Sequence, residues 1–529
     1  MKSEALQEAL PSSSRSTALV WGIIFVAAWF VVDGLLLPPA FGGTDFYYFK
    51  DAAINLASGL GFVSRFTFGN PTFDDRVFAI YPPLYALSFA AFVKLAGVSA
   101  AANQAFNAAV GIVVGLAGFL AVRPLLDRAT SRRSPLLSAL LFATAIAANF
   151  FLPGPDRPDG LGVSIGLFAL VVLGQSSLRY REAVAGMLAG AVLLVSPFAG
   201  IWTLIAVAAV VYERHGLYRA IGRGSLALVG LAGILGVALA AFAAFLPGWF
   251  SAFLGVLTGA TTGNETGGGY FIALLKGDLR TWLSAFPLGD PNYFVDLSKL
   301  LIVAILLIAA VTVNCLRSGA RRSDWTMLIL LGMSSLCVLT SPYQPNYLAI
   351  TSALLLGAAA CVALGAPLAA RRSYAAAIVG GFALICLMSV PQRAREIVIR
   401  IASYGSMQRA LADIDGVRQK LGSSKELIAV SPSNYILWRE KGLRPLTSTY
   451  SGLADPKNRE RLLYVAVAYG GSGNPLQPHK PSWLTEPEYE LLLQPKLPQY
   501  ASIFGLHVSR SSNTWESGIY NRSDRQKAD

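Results

Sequence analysis

The sequence predicts an α-helical polytopic membrane protein with about eleven transmembrane helices and a small α/β domain at its C-terminus. Of its 529 residues, 54% are hydrophobic and 14% are charged, whereas soluble domains average about 25% charged residues. Apolar runs of roughly 20 residues recur along the chain, and an α-helix of that length crosses a bilayer. After residue 391 the composition becomes polar and proline-rich, which indicates a domain outside the membrane.

The net charge of +13 marks membrane orientation and not a nucleic-acid partner. The basic residues lie in short loops between apolar runs, where they favour the cytoplasmic side and anionic lipids. A nucleic-acid-binding protein would gather them on one face. The four cysteines and three histidines are scattered, so the sequence predicts no disulfide framework, no metal site and no cofactor.

The first predicted span, 17–38, follows a polar tail without a clear cleavage site. We therefore predict a retained helix with a cytoplasmic N-terminus. The first outer loop, 39–102, contains the short apolar run that Tyr81-Pro-Pro-Leu84 opens and that carries Lys94. We predict that this run lies along the membrane surface, because a spanning helix here would move the basic loop 123–133 outside.

The order of the remaining spans follows from the same rule. With the short run excluded, every basic loop between spans lies on the cytoplasmic side of the plasma (inner) membrane. The 183–212 run is divided only at Ser196-Pro197. We predict two helices here, with one long helix as the alternative, which would move the following basic loops outside. The predicted spans are 103–122, 136–152, 160–177, 183–196, 197–212, 225–247, 300–316, 325–341, 346–365 and 373–391.

Residues 392–529 are predicted to form a separate extracytoplasmic domain, and residues 1–391 the transmembrane domain. Leu427–Val430 and Leu462–Ala468 have the composition of buried strands. Arg409–Leu421 has the periodicity of an amphipathic helix. These elements predict the small α/β fold.

Three outer segments carry polar residues that membrane anchoring does not require. The first is 39–102, the second is the proline-fixed turn 153–159, and the third is the second large outer loop, 248–299, which contains a glycine-rich stretch. Polar residues on loops beside a rigid helical scaffold are candidates for binding and catalysis. The residues singled out are Asp45, Asp156, Arg157, Asp159, Lys276 and Arg280.

Each candidate also has a structural interpretation. Asp45 is alternatively an acid in the first turn of a surface helix that starts near Phe46. The 153–159 turn alternatively only caps the helix that follows, and the glycine-rich stretch is alternatively a linker. Asp33 is either a buried functional acid or a residue that reaches the membrane interface. A possible interfacial aromatic belt comprises Tyr343, Asn346 and Tyr347.

Several short motifs follow one another in a characteristic order and on the same predicted side of the membrane. They are Asp45 with Tyr48 and Ala52, Gly59 and Gly61, Tyr81-Pro-Pro-Leu84 and Arg157-Pro-Asp159. Together with the predicted outer C-terminal domain, these motifs resemble the GT-C superfamily of membrane glycosyltransferases, which includes protein O-mannosyltransferases and lipid A aminoarabinose transferases. The family's paired Asp-Glu is absent, since Phe46 follows Asp45, and Tyr81 stands where the family often has a charged residue or histidine.

The resemblance implies a glycosyltransferase of the cell envelope. It would move a sugar from a polyprenyl-phosphate donor to a hydroxyl of a lipid, glycan or protein acceptor at the outer face. Asp45 would be the general base, and Arg157 would bind the leaving phosphate, with Lys276 and Arg280 as further candidate cations. The other residues expected to bind the donor or substrate are Asp156, Asp159, Tyr48 and Tyr81.

Three other functions fit an apolar polytopic chain. A transporter or flippase would have charges near the bilayer centre or paired broken helices, and charges are scarce within the predicted spans. An O-antigen ligase or polymerase would place key arginines and histidines in a large outer loop, whereas 248–299 contains no histidine. A catalytically inactive scaffold with the same fold is the third alternative.

Overall fold

The structure is a computed structural model, and it confirms an α-helical polytopic membrane protein. The residues that it describes are 12–39, 45–65, 75–79, 81–129, 135–148, 156–175, 178–257, 276, 278, 280, 291–340, 345–421, 427–431, 434–447, 453, 457, 462–471, 474–478, 484, 489–493, 501–503, 506–508 and 517–522.

The 39–102 segment, predicted to be the first outer loop, connects the first helix to a long buried helix. Helix α1 (Ser12–Phe30) continues into a π-helical turn, Val31–Leu36. The loop itself contains α2 (Asp45–Ala57) and a two-stranded sheet of β1 (Val63–Ser64) and β2 (Arg76–Val77).

The Tyr81-Pro-Pro-Leu84 motif leads directly into α3 (Leu84–Ala96). At about 1.5 Å per residue this helix is about 20 Å long, which is shorter than the roughly 30 Å hydrocarbon core. The amide of Leu84 donates a hydrogen bond to the carbonyl of Leu194, at 3.1 Å. The motif therefore packs against the end of another helix in the bundle.

The bundle consists of helices that correspond to the predicted spans. Among the described residues, six helices are long and apolar enough to cross a bilayer, and three apolar helices are shorter. The helices after α3 are α4 (Ala100–Ala129), α5 (Pro135–Ala147), α6 (Asp159–Gly174), α7 (Arg181–Leu193), α8 (Pro197–Phe245), α9 (Trp249–Leu257), α10 (Pro291–Ser318), α11 (Arg322–Thr340), α12 (Pro345–Gly365) and α13 (Leu368–Leu421).

The 183–212 run is two helices, as predicted, because α7 ends at Leu193 and α8 begins at Pro197. The predicted spans 197–212 and 225–247 both belong to α8. They are separated at Gly216, whose φ of 68° and ψ of 169° are not helical. Helices α7 and α8 pack with almost no space between their backbones. A Cβ on Gly186 would lie 1.9 Å from a carbonyl oxygen of α8, so only glycine fits there.

Helix α13 joins the membrane part to the C-terminal part without interruption. It continues through Pro391 and ends at Leu421. The predicted span 373–391 and the predicted amphipathic helix Arg409–Leu421 are therefore two parts of one helix.

The C-terminal part contains a mixed sheet, and both predicted strands are present. The elements are β3 (Leu427–Val430), α14 (Tyr435–Glu440), β4 (Leu446–Thr447), β5 (Leu462–Gly471), β6 (Asn474–Pro478), β7 (Tyr489–Leu493), β8 (Ala501–Ile503), β9 (Leu506–Val508) and β10 (Ser517–Arg522). The strand order of the sheet is β4-β3-β5-β10-β7, with β6 paired to β5. Strand β3 is parallel to β4 and β5, whereas β10 is antiparallel to β5 and β7.

Candidate functional site

Helix α2 is buried and begins at Asp45. Every residue from Phe49 to Asn55 is buried, including the charged residues Lys50 and Asp51. A helix does start next to Phe46, as the alternative of a surface helix predicted, but its residues 49–55 are buried and do not lie at the protein surface. The side chains of Asp45 and Tyr48 lie outside the part of the chain that the structure describes, so their roles stay predictions.

A buried ion pair connects α2 to the 156–159 turn. The ammonium of Lys50, which is fully enclosed, lies 2.9 Å from Asp156 Oδ1. It also donates to Asn103 Oδ1 and Asn107 Oδ1 on α4, at 2.5 and 2.8 Å. Burial lowers the pKa of Lys50, and the Asp156 carboxylate opposes this shift. The ring of Phe89 lies 4.7 Å from the ammonium and adds a cation–π contact.

The same Asp156 oxygen accepts two further hydrogen bonds. The amide nitrogens of Asn103 and Asn107 donate to it at 3.1 and 3.0 Å. Asp156 is 2% exposed. This arrangement suits a residue that fixes the turn, because a buried carboxylate is stable only when charged and polar donors surround it.

Arg157, which is 11% exposed, pairs with the fully buried Asp159 in the other half of the turn. Arg157 Nε donates to Asp159 Oδ2 at 2.8 Å, and Ser196 Oγ donates to Asp159 Oδ1 at 2.6 Å. The guanidinium lies over the ring of Phe49, 5.6 Å from its centre. Asp159 thus connects the start of α6 to the break before α8. A residue that only capped the helix would make no such contact with a second helix.

Tyr81 brings the α3 motif to this cluster. Its ring packs edge-on against Phe49, with centroids 4.9 Å apart, and its side chain hydrogen-bonds to Tyr347. Tyr347 in turn stacks on Phe198 at 3.9 Å. Burial raises the pKa of Tyr81 well above its usual value, and the negative charge of Asp159 raises it further. Its hydroxyl therefore stays protonated at neutral pH.

The structure thus brings four predicted site residues into one connected cluster, namely Tyr81, Asp156, Arg157 and Asp159. Tyr347 belongs to it as well, so it does more than form the interfacial belt considered above. Lys276 and Arg280 are exposed residues of a loop that is mostly outside the described residues, and their roles stay predictions. Tyr343 and the side chain of Asn346 also lie outside that part.

A second buried charge cluster connects α13 to the end of the first helix. Asp33, 1% exposed, accepts hydrogen bonds from Arg393 and Arg400, the latter at 2.7 Å. Arg400 also donates to three backbone oxygens, those of Asp33 at 2.9 Å, Leu37 at 3.4 Å and Pro38 at 2.5 Å. Asp33 is therefore buried and paired, and not placed at the interface by position alone. The arginines fix the point at which the first helix ends and the segment leading to Asp45 begins.

Sequence reasoning missed three of these residues, Lys50, Arg393 and Arg400. A helical wheel of α2 places Lys50 among apolar positions, and that signal was available. For Arg393 and Arg400 the only signal in the sequence was that they follow residue 391, where the composition becomes polar.

No group of three or more His, Cys, Asp and Glu side chains that could hold a metal ion occurs within the described residues.

Comparison of the sequence with protein-family models and with curated proteins finds no match. Comparison of the fold finds similar solved structures. The apo oligosaccharyltransferase of Archaeoglobus fulgidus is 14% identical with a TM-score of 0.42, over 86% of this chain and 70% of that chain. ArnT of Cupriavidus metallidurans bound to undecaprenyl phosphate is 14% identical with a TM-score of 0.41, over 85% and 89%.

The mycobacterial arabinofuranosyltransferase AftD is 14% identical with a TM-score of 0.42, over 97% of this chain and 40% of that chain.

Proposed function

We propose that the protein is a membrane glycosyltransferase that moves a sugar from a polyprenyl-phosphate donor to an acceptor hydroxyl at the outer face. The observation that carries this proposal is the contact between the start of α2 and the 156–159 turn. Asp45 is the first residue of α2, one helical turn before Phe49. Phe49 contacts both the Arg157 guanidinium and the Tyr81 ring. The helix that begins at the proposed base therefore also contacts the proposed phosphate-binding cation and a neutral tyrosine.

In the proposed reaction the acceptor oxygen attacks the anomeric carbon while Asp45 removes the hydroxyl proton. The bond between the anomeric carbon and the phosphate oxygen breaks, and the lipid phosphate leaves as an anion. A single displacement inverts the anomeric configuration.

Arg157 is the proposed contact for the leaving phosphate, because a guanidinium binds two phosphate oxygens at once. Its bond to Asp159 and its contact with Phe49 hold the group in one orientation before the donor binds. The protonated hydroxyl of Tyr81 supplies a neutral hydrogen-bond donor for the sugar or the phosphate. Asp156 is not proposed to contact the phosphate. Its ion pair with Lys50 fixes the turn that carries Arg157.

The test is transfer of label by the purified protein in lipid, supplied with radiolabelled polyprenyl-phosphate sugars and a membrane extract. Asp45→Asn is expected to abolish transfer without loss of folded protein. Arg157→Gln is expected to lower kcat by roughly 10²- to 10³-fold, the usual effect of removing one charge-stabilising donor.

The matched control is Asp127→Asn. Asp127 is an exposed acid of α4 whose ion pair with Arg123, at 3.7 Å, is also exposed, so its loss should leave transfer unchanged. Full activity in Asp45→Asn would overturn the assignment of the base. Movement of the labelled lipid across the bilayer without transfer would support the flippase alternative instead.

A further inference from the structure

Two adjacent residues of α2 bind opposite parts of the protein. Lys50 binds α4 and the 156–159 turn, as described above, whereas Asp51 binds α14 of the C-terminal part. Consecutive residues of an α-helix point about 100° apart, so α2 contacts a different partner on each side. The helix that begins at Asp45 is therefore held between the membrane bundle and the C-terminal part.

The Asp51 side of this arrangement is a buried network. Asp51 Oδ1 accepts the hydroxyl hydrogen of Tyr435 at 2.5 Å. Its Oδ2 accepts from Ser64 Oγ at 3.0 Å and from Asn55 Nδ2 at 3.2 Å. Asp51 and Tyr435 are both at most 2% exposed. Hydrogen bonds to a buried carboxylate are the strong class, because water does not compete for the acceptor.

Arg439 adds a second contact from α14 to the same face of α2. Its Nη2 donates to Asn55 Oδ1 at 2.7 Å, and its Nε lies 3.8 Å from Asp51 Oδ1. Asn55 and Asp51 are one helical turn apart, so α14 reaches both at once. Burial raises the pKa of Tyr435, and the Asp51 charge raises it further, so the donated proton stays in place at neutral pH.

Other bonds hold the C-terminal part against the same outer loop. Glu440 Oε2 accepts the backbone amide of Ala100 at the start of α4, at 2.9 Å. Arg444 binds Asp75 through both terminal nitrogens, at 3.0 and 2.5 Å. The contact made by Tyr435 is thus the buried centre of a wider interface.

We propose that Tyr435 and Arg439 are positioning residues, through which the C-terminal part fixes the orientation of α2 for the transfer reaction. Both side chains are more than nine-tenths buried, so they act on the reaction through α2 and do not bind the donor. This inference rests on the proposed function, because α2 carries the proposed base at its start and the Arg157 contact at Phe49.

The first test measures α2 directly, without any transfer assay. Tyr435→Phe in the full-length protein in lipid removes one hydroxyl and keeps the buried ring. Amides of 50–57 are expected to exchange with deuterium roughly ten- to a hundredfold faster, in line with the loss of one bond to a charged group. Tyr404→Phe is the control, because Tyr404 is 48% exposed on α13, and its exchange pattern should match wild type. Unchanged protection of α2 in Tyr435→Phe would overturn the proposal.

The second test separates positioning from binding. Tyr435→Phe is expected to lower kcat at least tenfold with little change in KM, because the binding groups are intact and only their alignment is lost. Asp51→Asn should retain more activity than Asp51→Ala, since an amide oxygen still accepts the Tyr435 hydrogen. A raised KM with normal kcat, or full kcat despite faster exchange, would overturn the positioning role.

Arg439→Lys repeats the exchange measurement should Tyr435→Phe fold poorly, because it removes the guanidinium bond to Asn55 and keeps a positive charge on the side chain. An absence of transfer in the wild-type protein would refute the proposed function, while the exchange data would still decide whether the C-terminal part fixes α2.

Discussion

Replacement of Lys50 by methionine is the sharpest test of the buried ion pair beneath the site. Methionine matches the length of the lysine stem but removes the ammonium and its three bonds to Asp156, Asn103 and Asn107. The Asp156 carboxylate then stays buried without this cation, while the neutral amides of Asn103 and Asn107 still donate to it. Removing one partner of a buried pair costs about 3–5 kcal/mol, because an uncompensated charge remains. We expect a loss of unfolding free energy in that range.

The assay is reversible unfolding of the purified protein by SDS in mixed micelles. The double variant Lys50→Met/Asp156→Asn should recover most of the lost free energy, since the new amide is neutral and still hydrogen-bonds to the two asparagines. Lys94→Met is the matched control. Lys94 is exposed, so its loss should change stability by no more than about 0.5 kcal/mol. Wild-type stability in Lys50→Met, or a double variant as unstable as the single one, would refute the reasoning.

Three further predictions concern other parts of the molecule. Gly186→Ala should destabilise the folded protein by at least about 1–3 kcal/mol, because its Cβ would overlap a carbonyl oxygen of α8. The control is Gly222→Ala, whose Cβ would meet open space. In thermal unfolding of both variants, the control should be neutral or slightly stabilising. Arg400→Gln should cost about 3 kcal/mol or more in SDS unfolding by weakening the pairing of buried Asp33, and a wild-type curve would contradict this. The pKa of Tyr435 is higher in the folded protein than in the unfolded chain, where it is near 10. Its hydrogen bond therefore contributes fully to stability below about pH 10, and this contribution is lost as the pH rises through the pKa of the folded state. Deuterium exchange in α2, corrected for intrinsic rates, should therefore be constant from about pH 6 to 9, and faster exchange at pH 8 would disprove it.

The helices were predictable because the residues that determine where each helix starts and ends are close together in the sequence. Apolar runs of bilayer length identify the spans, and Pro197 ends the preceding helix because proline lacks the amide that the helix requires. The same rule failed at Pro391. Composition changes there, yet α13 continues. Proline removes one hydrogen bond, and the packing of the following turns, where Arg393 and Arg400 bind Asp33, holds the helical path.

The candidate site was predictable only as a set of polar outer residues. The 156–159 turn stood out because its charges lie between apolar runs and its prolines restrict the backbone. Its partners could not be read in the same way. Lys50 is 106 residues from Asp156, and Arg400 is 367 residues from Asp33. A helical pattern states which face is buried, but it does not state which distant helix covers that face.

The two cations at the turn have different environments, and this difference decides which of them suits a phosphate. Lys50 is fully enclosed by Asp156, two asparagines and aromatic rings. A phosphate could reach it only by separating α2 from α4. Arg157 keeps 11% of its side chain exposed, and Asp159 and Phe49 hold it in place. An entering anion can therefore contact its guanidinium without breaking the buried pair. Arg157 is therefore the cation that we propose for the phosphate, and its role stays a prediction.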